Sequence, residues 1–248
     1  NTVRVYDDAT FNFLGLFTTT TNMPLGIHFG ATNGRVLVGG FMNGVHEFDV
    51  ATGAFIKSYG GPSWTWSGIY APNGNVLVTA TALDQIHEYD ANTGAFIQLW
   101  TPCPGAPADM RYGPNGNLYV CTFNGGMVFE FDPNTAAIVS AWSLPVVSSG
   151  PQANDVEFLN GEILVTDSRA NRVWRFDSTP AHNVLGWFTA ANWGLVHGIK
   201  ISPNNGHIYV CDGASAQVYE FDPLTFALID PTVLSPAPGD KVVDIAFR

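Results

Sequence analysis

One five-residue phrase recurs along this chain and constrains its fold more than any other feature. It reads Val-Arg-Val-Tyr-Asp at 3–7, Val-His-Glu-Phe-Asp at 45–49, Ile-His-Glu-Tyr-Asp at 86–90, Val-Phe-Glu-Phe-Asp at 128–132, Val-Trp-Arg-Phe-Asp at 173–177 and Val-Tyr-Glu-Phe-Asp at 218–222. The aspartates Asp7, Asp49, Asp90, Asp132, Asp177 and Asp222 follow one another at intervals of 42, 41, 42, 45 and 45 residues. A threonine stands three residues after five of them, at Thr10, Thr52, Thr93, Thr135 and Thr225, with Pro180 in the remaining repeat. Alternation of apolar and polar residues has the period of a strand. An aspartate closing such a strand can accept hydrogen bonds from backbone N–H groups two residues on and start a turn. The six aspartates therefore read as turn residues rather than a catalytic set. The strands that follow include Phe55–Tyr59, Phe96–Trp100 and Ile138–Trp142.

A second hairpin precedes each phrase after the first. Its turns are Asn33-Gly34, Asn73-Gly74, Asn115-Gly116, Asn160-Gly161 and Asn205-Gly206, and Asn-Gly tolerates the positive φ that tight hairpins need. Four short strands per repeat of about forty residues is the signature of a propeller blade. The chain is expected to be all-β, one six-bladed β-propeller domain over 1–248 with four-stranded blades. Five blades are expected at approximately 25–60, 67–101, 108–143, 154–189 and 197–230. The remaining blade is shared by 1–18, which carries third and fourth strands, and 242–248, which carries a first strand. Joining the two would close the ring and remove open sheet edges. The shared blade lacks a second strand. A fragment or tail explains that, and so does donation of the strand by another chain. The chain opens at Asn1 without a methionine, which reads as a processed chain or a fragment.

The run Ile163-Leu164-Val165-Thr166-Asp167-Ser168-Arg169-Ala170-Asn171-Arg172-Val173-Trp174-Arg175-Phe176-Asp177 resembles an NHL-type repeat. The chain is also similar to the wider group of streptogramin-lyase-like and gluconolactonase-like propellers. The segments 115–120, Asn-Gly-Asn-Leu-Tyr-Val, and 52–56, Thr-Gly-Ala-Phe-Ile, resemble exported bacterial propellers. This resemblance covers nearly the whole chain and speaks for architecture. That group contains enzymes and binding scaffolds alike, and fold does not settle function.

In a propeller the first strands line the central channel. Residues two apart on a strand point the same way, so two stacked rings are expected. One holds Gly26, Gly68, Asp109, Asp155, Gly198 and Asp244. The next holds His28, Tyr70, Arg111, Glu157, Lys200 and Ala246. Asn154 and His197 each precede a first-ring position. Carboxylates with an amide oxygen suit a hard cation, which makes Asp109, Asp155, Asp244 and Asn154 candidate ligands for Ca²⁺. The bland alternative is a channel neutralised from within, by pairing Asp109 with Arg111 and Glu157 with Lys200. The resemblance implies a central divalent ion in lactonase-like relatives, and a histidine with a metal-bound carboxylate in lyase-like ones. No motif here transfers those roles residue by residue. His46 and His87 share a repeat position among apolar neighbours and read as packed histidines, while His28 and His197 lie near the channel.

Trp64, Trp66 and Trp193 precede first strands, and Phe41 and Phe123 follow second strands. All should reach the face that bears the three aspartates, where aromatics beside carboxylates could hold a sugar or a peptide. Packing of the channel and the seams between blades is the alternative. No nucleophile elbow, His-Glu-x-x-His or phosphate loop occurs. The expectation is thus a non-catalytic exported binding or scaffold module for a protein, peptide or glycan, bearing His197 and the five aromatics as its ligand surface. The alternative is a metal-dependent lyase or lactone hydrolase at the channel mouth.

Charge and composition narrow the partners. The net charge is −11, and the only lysines are Lys57, Lys200 and Lys241. Such a surface repels nucleic acid, and no apolar run is long enough for a membrane span. A low-lysine surface rich in Thr, Asn and Gly suggests an extracellular or periplasmic location. Cys121 and Cys211 occupy equivalent Tyr-Val-Cys positions and read as buried structural thiols, with Cys103 in a Pro-rich connection.

Overall fold

A computed structural model describes residues 2–7, 9–20, 23–30, 33–60, 64–147, 150–234 and 241–247. It contains five four-stranded antiparallel sheets and one two-stranded sheet, with no α-helix among the described residues. The two-stranded sheet comprises β1 (Thr2–Tyr6) and β2 (Phe13–Thr19). The first complete blade comprises β3 (Pro24–Phe29), β4 (Arg35–Gly40), β5 (Val45–Asp49) and β6 (Phe55–Tyr59). The second comprises β7 (Gly68–Tyr70), β8 (Val76–Ala80), β9 (Gln85–Tyr89) and β10 (Phe96–Pro102). The third comprises β11 (Pro107–Tyr112), β12 (Leu118–Thr122), β13 (Met127–Phe131) and β14 (Ile138–Ser143). The fourth comprises β15 (Ala153–Leu159), β16 (Glu162–Asp167), β17 (Arg172–Asp177) and β18 (Val184–Phe188). The fifth comprises β19 (Val196–Ile201), β20 (Ile208–Asp212), β21 (Gln217–Phe221) and β22 (Leu228–Leu234). Each blade is a meander in which strands pair in chain order. Asn1, Asp8 and Arg248, which the expected shared blade includes, lie outside the described residues.

Turn chemistry explains the regularity. Asp49 Oδ1 accepts from Thr52 N at 3.0 Å and from Thr52 Oγ1 at 2.8 Å, and Asp90 with Thr93 and Asp222 with Thr225 repeat the arrangement. Asp177, with Pro180 three residues on, instead engages Thr179 and the side chain of Asn183. In the Asn160-Gly161 turn both residues have positive φ, 52° and 81°, the geometry of a type I′ hairpin.

The core lies in the seams between blades. One seam packs Leu164 and Val173 of the fourth blade against Ile199, Ile208 and Val210 of the fifth. Equivalent positions recur where the chain ends meet. Ile245 and Phe247 pack with Tyr6 and Phe11 against Tyr209 and Val218, and the Phe247 and Tyr209 rings lie 5.2 Å apart. Val3 and Phe17 pack on Val36, Val38 and Phe48. The two-stranded sheet and residues 241–247 thus both touch the fifth blade, and the sheet also touches the first. Residues 241–247 do not form the expected strand Val243–Phe247. A propeller's first strand pairs only with its second, and no second strand stands beside them among the described residues. Among the described residues their one backbone–backbone link is the Gly198 N–H donated to Val243 O at 2.9 Å.

Gly53 shows how closely neighbouring sheets approach. A Cβ there would lie 2.2 Å from Phe17 O, whereas one at Gly74 would meet nothing within 4 Å; both residues have positive φ. Gly74→Ala is expected to cost about 1 kcal/mol, from left-handed strain alone. Gly53→Ala is expected to cost about 3 kcal/mol, because it also pushes β2 off the first blade. Urea unfolding of the two variants measures the difference, and equal costs would contradict the docking of β2 at Gly53.

Candidate functional site

The inner strands carry a recurrent irregularity. Pro107 pairs with Thr122 but Met110 with Val120; Ala153 pairs with Asp167 but Val156 with Val165; Val196 pairs with Asp212 but Ile199 with Val210. In each case three steps on the inner strand oppose two on its partner, which is a β-bulge. Pro24 and Ile27 repeat it against Gly40 and Val38. A bulge breaks the alternation of side chains. Consecutive residues such as Asn154 with Asp155, and His197 with Gly198, therefore line one cavity together.

That cavity is small, about 10 Å³, and is lined by Leu25, Trp66, Asp109, Asn154, Asp155, His197, Gly198, Val243 and Asp244. Each aspartate folds back onto the backbone N–H of the residue that follows it. Oδ1 of Asp109, Asp155 and Asp244 accepts the N–H of Met110, Val156 and Ile245 at 2.8, 2.7 and 2.8 Å. Two of them also reach a neighbouring inner strand. Asp155 Oδ2 accepts from Ile199 N, and Asp244 Oδ2 from Ile27 N, both at 2.9 Å. Glycine stands just before each of those donors. At Gly198 a Cβ would lie 2.4 Å from Asp244 Oδ1, so the absent side chain makes room for the neighbour's carboxylate.

Lys200 is the cation of this cluster. Its Nζ bonds Asp155 and lies 3.2 Å from Asp244 Oδ1 and 3.9 Å from Asp109 Oδ2, with only 5% of the residue exposed. His28 Nε2 contacts Asp109 Oδ1 at 2.7 Å. The charge pairs therefore differ from the expected ones. Arg111 pairs with Glu157 at 3.2 Å, because equivalent positions on adjacent inner strands lie at one height. The longer lysine stem rises to the aspartate ring instead.

Burial raises the Asp155 carboxyl despite Lys200 and pushes Asp244 up to about 6. Burial also acts on Asp109, but the His28 and Lys200 charges outweigh it and hold that group well below the usual range. Burial depresses Lys200 too, and Arg111 adds to the effect; the surrounding carboxylates overcome both and raise it. His197, buried and without a partner at Nδ1, is lowered to about 4.

Above the cavity lies an aromatic cluster. Ring centroids of Phe41 and Trp64 are 5.2 Å apart, Trp66 and Phe123 5.7 Å, Trp64 and Phe123 6.2 Å, and Trp66 and His197 5.8 Å. Phe41 is 36% exposed, while Trp66 is 5% exposed and forms part of the cavity wall. Trp193 does not join them. It is 7% exposed and packs on Tyr219 and Phe221 in the seam core, so its expected place in an exposed ligand surface is corrected. The connection carrying it turns inward between the fourth and fifth blades before β19 begins.

The remaining singled-out residues are accounted for locally. His46 sits against Ser58 and Phe55, and His87 against Gln85 and Phe96. Cys103, Cys121 and Cys211 are buried free thiols. Lys200 shares its ring with Arg111 and Glu157, and nothing in the sequence showed that it would reach the aspartate ring instead of Glu157. The pairing of His28 with Asp109, 81 residues away, had no local signal.

The chain is thus an all-β propeller that gathers three carboxylates, two of them on inner-strand bulges, around one ammonium. No protein-family model matches the sequence, and no curated protein does. Among solved structures, it is similar to a catalytically inactive virginiamycin B lyase from Staphylococcus aureus with quinupristin, at TM-score 0.67 and 15% identity over 95% of this chain and 75% of that one. A streptogramin B lyase aligns at TM-score 0.65 and 16% identity over 87% and 72%. A protein of unknown function from Bacteroides caccae aligns at TM-score 0.67 and 16% identity over 90% and 86%. The fold is that of the streptogramin-lyase-like propellers, and at these identities the likeness concerns the fold alone.

Two buried groups titrate in opposite senses. Asp244 holds its proton more tightly in the native state, so its stabilising contribution is complete below about pH 4 and is lost as pH rises through 6. His197 is neutral when folded, so its contribution is complete above about pH 6.5 and is lost as pH falls through 4. Each amounts to about 3 kcal/mol. Between pH 6.5 and 4, Asp244→Asn is expected to lose stability more steeply than the wild type, and His197→Gln less steeply. Urea unfolding at several pH values checks this, and parallel profiles would contradict it.

Proposed function

We propose that β1, β2 and residues 241–247 form one shared blade that closes a six-bladed ring. We further propose that this propeller is an exported, non-catalytic binding module whose ligand surface is the rim formed by Phe41 and Trp64 over Phe123. One observation carries the reading: beneath the aromatics the cavity has room for about one water, and its carboxylates are already bonded to backbone N–H groups and Lys200. That room is too small for a substrate group larger than a water, so recognition falls to the apolar rim. A net charge of −11 favours a neutral or cationic peptide or glycan. No helix among the described residues is long and apolar enough to cross a membrane, and export is inferred from composition.

A second reading is metal-dependent lyase or lactone-hydrolase chemistry at the channel mouth. Oxygen atoms of Asp109, Asp155 and Asp244 lie within 4.8 Å of one another, and Asn154 Oδ1, buried in the cavity wall, has no partner. These are hard-cation ligands suited to Ca²⁺. The Lys200 ammonium stands among the same oxygens, however, so the site fits an ion only if that side chain leaves.

Two measurements separate the readings. After treatment with chelator, millimolar Ca²⁺ is expected to leave the wild-type melting temperature unchanged. Lys200→Met, which vacates the cation position, is expected to gain a calcium-dependent rise of several degrees. A peptide and oligosaccharide array is expected to yield ligands whose binding falls at least about tenfold in Trp64→Ala, the loss of one buried aromatic contact, and is retained in Asp155→Asn. Conversion of quinupristin or a simple lactone by the wild type, abolished in Asp155→Asn, would overturn the binding reading.

A further inference from the structure

Two buried polar atoms in the wall of the central cavity have no partner among the described residues. Asn154 is 1% exposed, and its Nδ2 donates to Val196 O at 3.1 Å, which anchors the amide and leaves Oδ1 unpaired. His197 is 8% exposed, and its Nδ1 is unpaired as well. Both residues line the same cavity. Its carboxylates are engaged with backbone N–H groups and Lys200, so the amide and the imidazole are the groups left to bind something. Burial holds His197 down to about 4, and a neutral ring with its proton on Nε2 accepts at Nδ1. An unpaired buried acceptor is costly, and two facing one cavity call for a single group that donates twice.

Size and charge narrow that group. A volume of about 10 Å³ admits one water-sized head, and a water between two acceptors meets the need in the free protein. A ligand gains by replacing such a water only if it reproduces both hydrogen bonds. A hydroxyl has one hydrogen to give and an ammonium has three. Asp109, Asp155 and Asp244 outnumber Lys200 around the cavity even with the His28 ring charged, so a cation is favoured over a neutral head. Trp66 adds an aromatic wall, and the face of an indole attracts a cation. A planar guanidinium or a quaternary nitrogen exceeds the space. Above the cavity, Phe41, Trp64 and Phe123 cover an apolar stem best when it is unbranched.

We propose that the ligand of the rim is a peptide that sends a lysine side chain between these rings, its ε-ammonium replacing the cavity water and donating to Asn154 Oδ1 and His197 Nδ1. The inference rests on the reading of the rim as the ligand surface and deepens it by naming the group recognised. A peptide N-terminus carries the same ammonium, but on a branched carbon beside a carbonyl that the rings would have to admit.

The test uses the 248-residue chain, isotope-labelled for nuclear magnetic resonance, with Nα-acetyl-lysine amide as the probe. At tens of millimolar the probe is expected to shift the Asn154 side-chain amide and His197 ring-nitrogen resonances. Three controls are expected to shift neither. Nα,Nε-diacetyl-lysine amide lacks the ammonium, Nα-acetyl-arginine amide keeps the charge on a larger head, and alanine amide has only an N-terminal ammonium. No shift with the lysine probe overturns the proposal. Equal shifts with the arginine probe also overturn it, because the net charge of −11 would then merely collect cations. Equal shifts with alanine amide overturn the assignment to lysine in favour of an N-terminus. His197→Phe keeps a ring and loses the acceptor, and is expected to weaken the probe at least about tenfold; unchanged affinity contradicts the role of Nδ1. The probe series on the wild type decides even if that variant does not fold. Array peptides that depend on Trp64 but bind equally well with their lysines acetylated overturn this inference alone. A lysine probe that reaches the cavity while no array ligand depends on Trp64 overturns the rim reading and leaves the ammonium position standing.

Discussion

The buried Lys200 ammonium and the three carboxylates around it hold the inner strands in register. Two unit charges 4.8 Å apart, the outer limit among these oxygens, repel by about 3 kcal/mol at an effective dielectric near 20. Three such carboxylates at the axis could not be assembled without compensation. Lys200 supplies one cation, His28 contacts a second group from across the channel, and five backbone N–H groups supply the rest. Removing one partner would leave a buried charge unpaired, which costs more than the pair contributes. The network thus specifies the relative placement of four blades and the C-terminal segment, while the apolar seams supply most of the stabilisation.

The bulges connect this network to the surface above it. They turn two consecutive residues of an inner strand toward the axis, and they free N–H groups that the aspartates then accept. The same displacement brings His197 beneath Trp66, so the polar cluster and the aromatic rim form one continuous layer. Saturated carboxylates below and partly exposed rings above leave the apolar rim as the chemically available part of this face. The repeated blades supply the scaffold, and one departure from repetition, glycine in place of aspartate, marks where neighbours meet.

Much of the architecture was legible because its signals are local. The aspartate–threonine turns and the Asn-Gly hairpins act within four residues of themselves, and the alternating strands between them need no distant partner to be recognised. The three channel aspartates were also legible, since each occupies one position of the repeat. The partners of those aspartates were not. Two-residue alternation placed Arg111 beside Asp109 and Lys200 beside Glu157, but the bulges and the reach of the lysine stem exchange the pairs. Trp193 shared a loop class with Trp64 and Trp66, and nothing in its flanking residues showed that its connection turns into a seam.

The amino-acid order by itself determined strand, turn and repeat, because hydrogen bonding over a few residues and a period of two are written into neighbouring side chains. It also determined which residue types face the axis. Only the tertiary structure decided which charges neutralise one another and which aromatics remain exposed. Those outcomes depend on distances between blades, and such distances are set by an extra residue in an inner strand, an absent Cβ at Gly198 and the packing of Tyr209 against Phe247, none of which has a local signature.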